Sequence, residues 1–149
     1  MSGYSGTPLA QKLGLREGSR LFVHGAPEHY QRLLAPWPAQ ARTVPRIDAR
    51  TDLIHLFALR RAALQRQLRA ALQRMRPDAC IWVSWPKRSS GVPTELTEDV
   101  IRAVALPLTL VDIKVCALDD TWSGLKLVIR TSARRAPTRA AAKRAHASR

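Results

Sequence analysis

The chain has 149 residues, 46% of them hydrophobic and 24% charged. That is enough for one domain with a core, too little for two, and it excludes a wholly disordered chain. Lys and Arg number 25 against 11 Asp and Glu, a net charge of +14, which favours polyanions through a long-range, salt-sensitive attraction.

In chain order, Pro8 to Leu13 reads as a short helix closed by Gly14. Arg20 to His24 is a first strand, ending in the turn Gly25-Ala26-Pro27. Glu28 to Leu34 is a short helix stopped by Pro36 and Pro38, and Arg42 to Val44 is a weak second strand. Leu53 to Ala58 shows little alternation, as expected of a strand buried on both faces of a parallel sheet.

The next helix is the clearest element. Leu64, Leu68, Ala71, Leu72 and Met75 share one face, Arg66, Arg69, Gln73 and Arg74 lie opposite, and Pro77-Asp78 ends it. Ala79 to Trp85 is a strand, and the loop Pro86 to Gly91 leads to a helix from Thr94 to about Val104. Thr94 is its expected N-cap, with Glu95, Glu98 and Asp99 at the positive end of the dipole. Leu110 to Leu118 and Trp122 to Arg130 are joined by Asp119-Asp120-Thr121, so they form an antiparallel hairpin. From Thr131 onward there is almost no apolar bulk beyond alanine. Residues 1–130 are therefore expected to form one α/β domain and 131–149 a disordered basic tail.

These elements predict a small Rossmann-like sheet, mainly parallel, with a closing antiparallel hairpin. The plan resembles that of the class I methyltransferases, and by that analogy the six strands take the order 2-1-3-4-6-5. About seven residues, 45–51, join strands two and three, where a parallel crossover takes a dozen or more. Strand two must be very short, or a unit has been pared down.

Several positions can carry chemistry. A doubly wound fold grips a nucleotide at its first strand–helix turn, using glycines for close backbone approach. Here that turn has one glycine, Gly25, and Pro27 lacks an N–H; Asp48 is the nearest acid to the end of strand two. The loop 85–94 lies at the C-terminal end of a central strand, where Lys87, Arg88, Ser89 and Ser90 can hold an anion. In the hairpin, Asp119 reads as a turn cap, Gly124 as its relief and Trp122 as a packing residue. His24, His29, His55 and His146 show no metal-ligand spacing with one another or with Cys80 and Cys116. His55 reads as a satisfied core histidine, and both cysteines as buried, reduced thiols. No metal or cofactor is implied by these residues.

Several stretches together resemble a family of small bacterial proteins, the domain-of-unknown-function family thirty fifty-two. They are Gly3-Tyr4-Ser5-Gly6-Thr7-Pro8-Leu9 with Lys12-Leu13-Gly14, Trp85-Pro86-Lys87 with Ser90-Gly91-Val92, Leu96-Thr97-Glu98-Asp99, Val111-Asp112, Lys114-Val115-Cys116-Ala117 and Thr121-Trp122-Ser123-Gly124-Leu125. They run from residue 3 to about 130 in order, and the tail lies outside them. Pro93, Glu95 and Ile113 depart from the family's usual Ala, Asp and Asn. The resemblance implies a bacterial cytosolic protein but brings no activity, cofactor or catalytic residue.

The expected function is a non-catalytic small-ligand-binding or regulatory domain, its partner a small ligand or a protein. The alternative is a small S-adenosylmethionine-dependent methyltransferase-like enzyme. The expected ligand site joins Tyr4, Trp85, Lys87, Ser90 and Trp122, which offer aromatic faces and anion-holding donors at one sheet edge. No apolar stretch approaches the roughly 18 residues that span a bilayer, and no secretion signal is present, so a cytoplasmic protein without a membrane partner is expected.

In the tail, Arg134, Arg135, Arg139, Lys143 and Arg144 are the candidate contacts to nucleic acid, without sequence choice because no base-reading scaffold accompanies them. Each phosphate contact adds about −0.9 to the slope of log K against log salt on duplex DNA. Ending the chain at Arg130 is therefore expected to flatten that slope. Equal slopes for the full and shortened chains would move the binding to Arg66, Arg69 and Arg74.

Overall fold

The structure is a computed structural model, and it describes residues 6–135. The elements run α1 (Leu9–Leu13), β1 (Arg20–His24), α2 (Tyr30–Leu33), β2 (Arg42–Thr43), β3 (Leu53–Phe57), α3 (Arg61–Arg74), β4 (Cys80–Pro86), α4 (Glu98–Ala105), β5 (Leu110–Ala117), β6 (Trp122–Ile129) and α5 (Thr131–Arg135). They form one six-stranded sheet of order β2-β1-β3-β4-β6-β5, as the analogy predicts. β1 pairs in parallel with β2 and β3, and β3 with β4, while β6 runs antiparallel to both β4 and β5.

Strand alternation divides the core into two layers. On one face Ile54, Leu56, Ile81, Val83, Trp85, Leu125 and Leu127 meet Leu64, Leu68 and Ala71 of α3 and Ile101 and Val104 of α4. On the other, Leu21, Leu53, Phe57 and Trp82 meet Ala10 and Leu13 of α1 and Tyr30 of α2. β3 is buried at every position, as its unbroken apolar run predicts. Trp82 is fully buried, and its indole N–H donates to the Leu13 carbonyl at 2.9 Å, which fastens the α1 region to the sheet.

Some local expectations change. α4 begins three residues later than Thr94 suggested. Its N-cap is Thr97, whose hydroxyl accepts from the Val100 N–H at 3.2 Å. Thr94 instead donates to the Leu59 carbonyl, and Glu95 accepts from the Arg61 N–H at 2.9 Å, so the carboxylate caps the start of α3. Residues 131–135 form α5 rather than continuing as irregular tail. Ala133, Arg134 and Arg135 have high helix propensity, which favours a helical turn here. Cys80 and Cys116 are free and half-buried, and burial pushes both thiols up from their ordinary range. Among the described residues no helix is long and apolar enough to cross a membrane.

Gly124 does not relieve the hairpin turn. It lies inside β6, where a Cβ would come within 2.8 Å of Leu118 Cδ1 and 3.1 Å of Trp82 Cε3. Leu118 can turn aside, but the Trp82 ring is held by its hydrogen bond and its burial. Gly124→Ala is therefore expected to lower stability by about 1–3 kcal/mol, the usual range for an overpacked core. Urea unfolding of the two proteins measures this, and equal midpoints would show that the ring can move.

Candidate functional site

The C-terminal edge of the parallel strands is built by three turns: 24–29 after β1, 85–91 after β4, and 118–122 between β5 and β6. Gly25 takes φ +76°, which opens the first turn, and a Cβ there would meet the Phe57 carbonyl oxygen at 2.9 Å. Glycine is thus required twice, for its backbone conformation and for close approach to β3. The same turn carries His29 toward the hairpin, where its Nε2 lies 3.0 Å from Asp119 Oδ2.

Asp119 also accepts from the N–H groups of Thr121 and Trp122 at 2.9 and 2.7 Å. Burial alone would raise its carboxyl, but the Trp122 N–H, the His29 ring and the Thr121 N–H outweigh that and hold it below the ordinary carboxylate range. Asp119 is therefore a turn cap, as expected, and also one side of a clasp between two loops. The clasp joins residues ninety positions apart, and no local pattern announces such a pair.

Beneath the clasp lies a buried polar chain. The Tyr30 hydroxyl is 2.7 Å from His55 Nδ1, and His55 Nε2 is 2.7 Å from Ser84 Oγ. His55 and Ser84 have no exposed surface and Tyr30 almost none. The arrangement has the order of a nucleophile, a base and an orienting group, yet Ser84 is sealed from any substrate. It serves as core hydrogen bonding, in line with the reading of His55. Burial raises the Tyr30 hydroxyl and lowers the His55 imidazole to about 3. Phe57 stacks on His55 at 4.3 Å and meets the edges of Tyr30 and Trp122 at 5.6 and 5.0 Å. This aromatic seam continues from α2 to the hairpin.

The expected ligand residues are brought together only in part. Pro86 pairs with Trp122, and the Lys87 N–H donates to the Thr121 carbonyl at 2.7 Å, so Lys87 and Trp122 are neighbours. Trp85, however, pairs with Ser123 and packs in the α3–α4 layer, whereas Trp122 packs in the α1–α2 layer. One residue of register puts the two indoles on opposite faces. Ser90 Oγ donates to the Lys87 carbonyl at 2.7 Å and accepts from the Val92 N–H, which makes it a turn cap.

Tyr4 lies outside the described residues, as do Arg139, Lys143 and Arg144; Arg134 and Arg135 fall within α5. Gly6, Thr7 and Pro8 line a cavity of about 350 Å³ with Leu118 and Asp119, so the N-terminal segment borders the hairpin. Arg66, Arg69 and Arg74 are exposed on α3. Among the described residues no group of three or more His, Cys, Asp or Glu could hold a metal ion.

No family model and no curated protein matches the chain. Solved structures do. A SAM dependent methyltransferase from Aquifex aeolicus is similar over 81% of this chain and 87% of its own, with TM-score 0.59 and 14% identity. A putative type 11 methyltransferase from Sulfolobus solfataricus is similar over 83% and 90%, with TM-score 0.59 and 12% identity. A tRNA methyltransferase of B. subtilis is similar over 79% and 64%, with TM-score 0.50 and 10% identity. At these identities the likeness shows the fold: a Rossmann-like, methyltransferase-type α/β sheet.

The lowered pKa of His55 has a consequence for stability. Folding holds the ring neutral, so the unfolded chain takes up a proton below about 6.5 that the folded one refuses until about 3. The stability His55 contributes is present above 6.5 and is lost as pH falls toward 3. Across that window the expected slope from this residue is about 1.4 kcal/mol per pH unit. His55→Gln, which keeps a donor and an acceptor, is expected to flatten it. Unfolding free energies from pH 7 to 4.5 provide the measurement, and the same slope in both proteins would show that His55 is protonated in the fold.

Proposed function

We propose that this chain is a small S-adenosylmethionine-dependent methyltransferase-like protein with its site at the C-terminal edge of β1, β3 and β4. The observation that carries the reading is the sheet order β2-β1-β3-β4-β6-β5, with an antiparallel hairpin closing four parallel strands. Ligands of open α/β sheets bind at that edge, and proteins of similar fold include ones named as methyltransferases. Gly25 supplies the tight turn after β1.

The rest of the turn does not fit the way doubly wound folds ordinarily hold a nucleotide. Pro27 has no N–H to offer, and the Phe57 carbonyl lies directly against Gly25. After β2 come Val44, Pro45 and Arg46, with no carboxylate to grip a ribose. Asp48, the nearest acid, accepts from the Arg50 N–H in its own loop. These observations favour a second reading, in which the same scaffold is a non-catalytic ligand-binding or regulatory domain. Under either reading the exposed Arg66, Arg69 and Arg74, with the basic residues beyond β6, suit a polyanionic partner such as nucleic acid.

Titration calorimetry of the full chain with S-adenosylmethionine and S-adenosylhomocysteine separates the two readings. The methyltransferase reading expects saturable micromolar binding, weakened in Gly25→Val and in His24→Ala, an exposed substitution at the end of β1. A folded protein that binds neither compound would transfer the function to the second reading.

A further inference from the structure

The chain passes from β2 to β3, two strands that both run parallel to β1, through residues 44–52 without a helix. Parallel crossovers usually carry a helix that covers the sheet face they cross. Here Ile47 reaches the core on the α3 side, so the irregular crossover runs beside α3. Between the two lies a cavity of about 310 Å³, at the small end of the roughly 300–1000 Å³ usual for ligand sites.

Its walls have a definite chemistry. Phe22, Ile47, Leu56 and Ala70 make it apolar, with Pro45 along the crossover. The Gln67 side-chain oxygen is buried and meets no hydrogen-bond donor among the described residues. A buried acceptor without a partner is costly, and Gln67, whose side chain lines the groove, relieves that cost by turning its oxygen outward to a ligand N–H. Arg46 and Arg74 also line the cavity, both exposed at its margin, and none of the lining residues is acidic. His24 adds an aromatic edge.

We propose that this groove binds a small planar aromatic acid that carries an N–H donor. The rings lie against Phe22, Ile47, Leu56 and Ala70, the N–H meets the Gln67 oxygen, and the carboxylate faces Arg46 and Arg74. The groove runs along α3 and meets the 24–29 turn only at His24; Gln67, Ala70 and Arg74 belong to neither edge turn, so variants there test this site separately from the methyl-donor reading.

Indole-3-acetate is the probe, with indole as the uncharged comparator and naphthalene-1-acetate as the acid without an N–H. Calorimetry on the full chain is expected to give saturable indole-3-acetate binding with Kd below about 1 mM, each comparator being about tenfold weaker. Ala70→Trp fills the groove from an exposed position on α3 and is expected to abolish binding while leaving the melting temperature nearly unchanged. The double variant Arg46→Glu, Arg74→Glu is expected to erase the preference for the acid over indole. Gln67→Leu is expected to erase the preference for indole-3-acetate over naphthalene-1-acetate. No saturable binding to the folded protein, or binding unaltered in Ala70→Trp, would overturn the proposal.

Discussion

His55 lies in the middle of β3 with no exposed surface, and both its ring nitrogens are hydrogen bonded. A neutral imidazole offers one donor and one acceptor, and Tyr30 and Ser84 use one each. That requirement ties three pieces of chain together. Ser84 brings in β4, Tyr30 brings in α2, and Phe57, two residues along β3, stacks on the ring from the same face. Once Tyr30 is held, the 24–29 turn has little freedom. Its other end is β1, and His29, next to Tyr30, then sits where Asp119 can meet it. The C-terminal edge is thus organised from a polar chain in the core outward, rather than by loops packing on one another. Replacing Ser84 or Tyr30 by an apolar residue would leave a buried ring nitrogen without a partner, which costs about 1–3 kcal/mol.

The other organising feature is the abbreviated crossover. β2 pairs through two residues only, Arg20 with Arg42 and Leu21 with Thr43, and it is exposed at both positions. The connection that follows is held by its own short bonds: Asp48 N–H to Thr51 Oγ1, Arg50 N–H to Asp48 Oδ1, and Thr51 N–H to the Asp48 carbonyl. Asp52 then accepts from the Arg20 N–H and pairs with Arg76 at 2.8 Å, which pins the start of β3 beside β1 and the end of α3. Burial alone would raise the Asp52 carboxyl, but the Arg20 N–H and the Arg76 guanidinium hold it below its ordinary range. Local turn chemistry and one ion-paired carboxylate replace a helix, and the sheet face that such a helix would cover is left as a groove.

How much of this was legible in the sequence depends on the range of the interaction. Strands β1, β3, β4, β5 and β6 stood out because apolar runs and turn residues are local signals, and the three-residue link at 119–121 forced the hairpin. The strand order followed by analogy with the class I methyltransferases, whose plan the hairpin and the helices between strands resemble. The helix start at Thr97 did not, because Thr94 and Glu95 have the residue types of a cap but spend them on the Leu59 carbonyl and the Arg61 N–H across the chain. The face of Trp85 was partly legible: it lies three positions from Trp82 in one strand, so the two must point opposite ways. The face of Trp122 was not, since it depends on the register of β6 against β4. The His29–Asp119 clasp and the groove beside α3 are products of the assembled fold.

The aromatic seam bears on what any edge ligand must do. Tyr30, His55, Phe57 and Trp122 fill the layer directly under the 24–29 turn and the hairpin. A ligand inserted between those turns would have to displace Trp122 from Phe57 or break the clasp at Asp119, giving up packing already made within the protein. A ligand lying across the top of the turns displaces nothing, but it gains little buried surface. The groove beside α3 differs in both respects. Its apolar wall is already open, and its Gln67 oxygen meets no hydrogen-bond donor among the described residues. A ligand N–H that meets the Gln67 oxygen once that side chain turns outward adds a hydrogen bond without removing one, which is the condition under which burying a polar group favours binding. The C-terminal edge is therefore the more tightly packed part of the molecule, and the sheet face beside the helix-free crossover is the more open one.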